Sequence, residues 1–137
     1  MTMTRNIEQT NSLRIALKAD ATASAAMGLL LLVAGGWLAE PLGVGKGLLV
    51  EAGIVLVVFA AFVLWTGLRA VPSRGAVRAI VVVNGLWVVA SVATAFAAWL
   101  PLTTLGTLFV LAQAAAVLVL ALWQVIASGR AVLSPGT

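Results

Sequence analysis

The 137-residue chain contains no cysteine, no histidine and no tyrosine, and only 12 of its residues are charged. Without cysteine there is no disulfide, no thiol redox chemistry and no thiolate metal site. Without histidine the commonest zinc and haem ligand is missing, together with the side chain most used as a general acid or base. Hydrolysis or group transfer needs a nucleophile with a base, or a metal. The four carboxylates Glu8, Asp20, Glu40 and Glu51 are scattered along the chain. The expectation is therefore a protein that is not an enzyme and carries neither cofactor nor metal.

What fills the chain instead is apolar. Hydrophobic residues make up 63% and charged residues 9%, with a mean hydropathy of +1.17. An average soluble domain is about 45–50% apolar and about 25% charged. Between Ala19 and Ala127 the charges are Asp20, Glu40, Lys46, Glu51, Arg69, Arg74 and Arg78, at or near the ends of long apolar runs. Four such runs, 19–38, 47–68, 79–100 and 105–127, each reach the ~20 residues that cross a ~30 Å hydrocarbon core. Barrel strands would alternate apolar and polar residues, whereas Leu29–Val33 and Ala114–Leu122 are apolar on every side. The predicted fold is all-α, a four-transmembrane-helix bundle. Residues 1–18 form a frayed tail and an interfacial helix start near Asn11–Leu13, 19–127 the membrane domain, and 128–137 a second tail.

The net charge of +4 in a soluble protein would point to nucleic acid. Here the basic residues serve as orientation signals, and no nucleic-acid partner is expected. Arg5, Arg14 and Lys18 precede the first span, Arg69, Arg74 and Arg78 separate the second and third, and Arg130 follows the fourth. Only Lys46 lies on the other side. The positive-inside rule then places both termini and the middle loop in the cytoplasm, with outer loops at Ala39–Lys46 and Pro101–Thr104. The first span is longer than a signal peptide's apolar stretch, and Trp37 occupies the −3 position of a cleavage after Ala39, so the span is expected to stay.

Gly28, Pro41 and Trp65 recur as Gly85, Pro101 and Trp123, at offsets of 57, 60 and 58 residues. With two spans per half, the repeat is parallel, one helical hairpin followed by another of the same orientation. Polar residues inside the spans are the informative ones, since a polar group in hydrocarbon without a partner costs several kcal/mol. Asn84, Trp87, Ser91 and Thr94 share one helical face, as do Gln113, Val117, Leu120 and Gln124, as do Glu51, Val55, Val58, Phe62, Trp65 and Arg69. Asp20, Ser24 and Met27 do the same on the first span. At ~1.5 Å per residue, Glu51, Gln113 and Thr94 fall ~24–26 Å above the inner arginines and are expected to meet in an outer layer. Asn84 and Gln124 fall ~9 Å above them, in an inner layer.

Glu51, an ionisable residue within a span, is the candidate for a proton or ion role, and Asp20 is expected to pair with Arg78 or Arg14. Gly28, Gly85, Ala90, Ala112 and Ala116 are expected to let backbones approach. Trp37, Trp99, Trp65 and Trp123 sit at span ends as belt anchors, which leaves Trp87 as the tryptophan expected to line a pocket.

The stretch Val83–Ser91 (VNGLWVVAS), with Trp99–Gly106 (WLPLTTLG) and Phe109–Ala114 (FVLAQA), resembles a pattern in small bacterial integral membrane proteins of four helices. The resemblance covers the second half well and the first half loosely. It implies the architecture and a bacterial cytoplasmic membrane, with no activity attached. The leading expectation is a non-enzymatic accessory or scaffold subunit, a homo-oligomer or part of a larger membrane complex, held in the lipid bilayer. The alternatives are a small ion- or proton-coupled transporter or channel using Glu51, and a lipid or quinone binder with its pocket near Trp87.

Overall fold

Inside a bilayer a backbone must satisfy its own hydrogen bonds, and the four apolar runs do so as helices. The computed structural model describes residues 2–135. Its helices are α1 (Thr2–Leu42), α2 (Lys46–Leu68), α3 (Arg74–Phe96) and α4 (Thr104–Ser128). All four are long and apolar enough to cross a membrane. They run up, down, up and down around a ring in which α1 packs on α2 and α4, and α3 packs on α4. The remaining side of the ring is loose, because α2 and α3 barely touch.

The expected frayed tail is instead helical from Thr2, and α1 is ~60 Å long. Its first turns are held by packing: Leu13, Ala16 and Leu17 are fully buried. Leu13 and Leu17 join Ala21, Val63, Val77, Ile80 and Ala127 in a cluster that closes the end of the bundle carrying both termini. The C-terminal segment straps the same end. Ser134 pairs with Pro72 and Arg74 through backbone bonds of 2.9 and 3.0 Å, and Val132 N–H donates to Thr10 Oγ1 at 2.7 Å. Met1, Gly136 and Thr137, the extremes of the two expected tails, lie outside the described residues.

At the other end the expected loop Ala39–Lys46 shrinks to Gly43–Gly45, since α1 continues through Pro41 to Leu42. Gly43, at φ 70°, stops it. Gly43 N–H donates to Glu40 O and Val44 N–H to Ala39 O, the two bonds of a left-handed helix terminus. The two hairpin tips are tied together where Thr103 N–H donates to Leu42 O at 3.2 Å. Ser73 and Thr103 cap α3 and α4 by accepting from Ala76 N–H and Gly106 N–H. The third span ends at Phe96, four residues earlier than expected, and the chain turns through Ala98 at φ 58° towards Pro101.

The tightest helix contact joins α1 to α2. Ala21, Gly28 and Gly35 recur at seven-residue intervals, as do Gly53, Ala60 and Gly67, and all six are buried. A Cβ on Gly28 would lie 2.9 Å from Gly53 O, and one on Gly53 would lie 2.9 Å from Gly28 O. Close backbone approach at small residues is how membrane helices associate, because lipid is as apolar as leucine. The repeat is not kept at this point. Gly85 is exposed with nothing within 4 Å of its Cβ position, and Ala90, Ala112 and Ala116 are exposed too.

Candidate intramembrane polar site

Three helices contribute to a polar centre just above the closing cluster. Asp20 on α1 is 1% exposed, Asn84 on α3 3% and Gln124 on α4 0%. Asp20 Oδ2 accepts from Asn84 Nδ2 and from Gln124 Nε2, both at 2.8 Å. Asp20 Oδ1 accepts from Ser24 Oγ–H at 3.2 Å. Asn84 Nδ2 also donates to Gln124 Oε1 at 3.2 Å, which closes the triangle. Each polar group that a helix carries into the core thus finds its partner on another helix or one turn away.

The expected pair of Asp20 with Arg78 does not form. Arg78 lies six residues before Asn84, ~9 Å nearer the terminal end, and is exposed there. A long basic side chain at a span end reaches toward the boundary rather than into the core. Arg14 turns to α2, where its Nε donates to Gly67 O at 3.3 Å. Asp20 therefore takes dipoles in place of a cation. The signal was present in the chain: Asp20 follows Arg14 by six residues, the spacing that puts Asn84 and Gln124 in the inner layer.

The next layer joins α3 to α4. Trp87 Nε1–H donates to Gln113 Oε1 at 2.7 Å, and Gln113 Nε2 donates to Ser91 Oγ at 2.9 Å and to Val110 O at 2.9 Å. Thr94 turns back on its own helix, donating to Ala90 O at 2.7 Å.

Glu51 takes no part in this layer. It is exposed, and so are Val55, Val58, Phe62, Trp65 and Arg69 on the same stripe. The interior face of α2 is the opposite one, with Leu49, Gly53, Ala60, Val63 and Thr66. In a helix apolar all round, small residues select the packed face and large ones are left to lipid. Trp65 fits that position, with the Arg69 guanidinium 5.1 Å from its ring centroid. Trp37 and Trp99 are exposed at the tip end, and Trp123 donates to Ser12 Oγ at 2.9 Å at the terminal end.

Two adjoining cavities run through the ring. One of about 150 Å³ extends from Asp20, Ser24 and Asn84 to Trp87 and Gln113. The other, of about 240 Å³, continues from Trp87, Ser91 and Gln113 toward Leu42 and Leu102. Met27, Leu56, Trp87 and Gln113 line both. Apart from the two polar layers and Thr94, the walls are apolar. Among the described residues no group of three or more acidic, histidine or cysteine side chains is placed to hold a metal ion.

Helix length, apolarity and a polar interior define a polytopic α-helical membrane protein. Neither a family model, nor a curated protein, nor a solved structure matches the chain.

Proposed function

We propose that the protein is a non-enzymatic intramembrane binding protein that takes an amphipathic, mainly apolar molecule from the bilayer into the cavity beside Trp87. The observation that carries this reading is the cavity itself: apolar walls, two convergent polar layers, and the loose seam between α2 and α3 alongside it. Binding sites for small molecules have that composition, apolar surfaces with a few placed polar groups. Each cavity is smaller than the about 300–1,000 Å³ of a drug-sized site, which suits a single alkyl chain or a small ring with one polar head. The terminal end is closed by the Leu13–Leu17 cluster and the tips by the Thr103–Leu42 tie, so the route of entry is lateral, between α2 and α3. Seven of the eight basic residues lie at the terminal end, which favours cytoplasmic termini. Thiol labelling of single cysteines placed in the loops reads that orientation directly.

The experiment is equilibrium binding of radiolabelled decanol to the protein in phosphatidylcholine nanodiscs, with empty nanodiscs subtracted. Saturable binding of about one molecule per chain is the expected result, weakened when Met27→Trp fills the space shared by the two cavities. Uptake that rises linearly and equals that of empty discs removes the proposal.

A further inference from the structure

The buried carboxylate of Asp20 is the group that an apolar-molecule site does not need. It is 1% exposed, it sits among membrane helices, and no cation pairs with it among the described residues. A charge taken into such surroundings is costly unless it is paired, and acids retained there mark ion or ligand sites. Its three partners all donate to it. An ionised carboxylate offers about four acceptor positions, so one remains. Among the described residues Asn84 Oδ1 accepts no hydrogen bond, and both residues line the inner cavity. At that end of the cavity hydrogen-bond acceptors and negative charge therefore meet, and what is missing is a donor carrying positive charge.

From this juxtaposition we infer that the cavity's ligand is an amphipathic cation, an alkyl-ammonium whose head rests at Asp20 and Asn84 while its chain lies along Met27, Leu56 and Trp87. The inference rests on the cavity reading and adds to it the charge of the ligand. An ammonium supplies three N–H donors to the open positions on Asp20 and Asn84. Its charge replaces dipoles by a counter-ion in a low-dielectric site, where such attraction is strong. The closing cluster below Asp20 keeps water on that side away, so the head is reached from the cavity.

The charged groups nearest to Asp20 on the packed elements are Lys18 and Arg14 on α1 and Arg78 on α3; α4 carries no charged residue, and α2 carries Lys46 and Glu51 only toward its far end.

The test compares decylamine with decanol, chains of equal length, on the whole protein in phosphatidylcholine nanodiscs. Wild type is expected to bind decylamine about tenfold or more tightly than decanol, and Asp20→Asn to abolish that preference. Equal affinities in wild type, unchanged by Asp20→Asn, overturn the inference and leave the cavity reading standing. Binding of neither probe above empty discs overturns both. Should Asp20→Asn not fold, the wild-type protein still decides by competition: decylamine is expected to displace bound radiolabelled decanol at about a tenth of the concentration at which unlabelled decanol does so, and displacement at equal concentrations contradicts the inference.

Discussion

Gln124→Leu is expected to destabilise the bundle by about 2–4 kcal/mol, measured by reversible unfolding in mixed micelles. Gln124 is fully buried, donates to Asp20 Oδ2 and accepts from Asn84 Nδ2, so the substitution removes two hydrogen bonds at once. Hydrogen bonds between membrane helices contribute roughly 0.6–2 kcal/mol each, and those to a charged group about 1.5–3. The larger part of the loss comes from Asp20, left with Asn84 and Ser24 in an apolar setting. The triple replacement Asp20→Leu, Asn84→Leu and Gln124→Leu is therefore expected to recover much of the stability, since a whole buried polar cluster exchanged for packed apolar groups is often neutral. A triple variant less stable than Gln124→Leu would show that the cluster holds the helices together rather than conserving a charged group at a cost.

Gly28→Leu is expected to separate α1 from α2. A Cβ at that position lies 2.9 Å from Gly53 O and 2.9 Å from Val57 Cγ2, and the first of these is backbone, which cannot swing aside. Overpacking of a rigid contact costs about 1–3 kcal/mol, and the seam here continues through Gly35 and Ala21. The internal control is Gly85→Leu, at the matching place in the sequence repeat, where nothing lies within 4 Å. Unfolding midpoints should fall for Gly28→Leu and stay within error for Gly85→Leu. Equal losses in the two would mean that the hairpins pack alike.

These two positions also show what could be read from the chain alone. Span number and helical faces were legible because steps of three and four residues put Asn84, Trp87 and Ser91 on one side of α3, and they do point inward. The interior face of α2 was not. The stripe from Glu51 to Arg69 has the same periodicity as the buried one, and in a bilayer apolarity does not tell inside from outside. The seven-residue spacing of Gly53, Ala60 and Gly67 was the discriminating feature. Likewise, depth arithmetic brings Asn84 to Gln124, yet the apolar runs leave Asp20 at the very end of the first span. Its own hydropathy run begins one residue earlier, and that run says nothing about how far the helix extends below it. The helix runs on through Leu13 and Leu17, both fully buried, so the acid lies inside the bundle, where it is 1% exposed.

Whether the cavity beside Trp87 admits a molecule from the bilayer is tested most directly by fluorescence. In a chain with Trp37, Trp65, Trp99 and Trp123 replaced by phenylalanine, Trp87 is the sole emitter. Titration with 10-bromodecanol in nanodiscs is expected to quench it along a saturating curve that unbrominated decanol displaces. Quenching that grows linearly with the alcohol and resists displacement would mean that Trp87 sees only surrounding lipid, and would contradict the binding site.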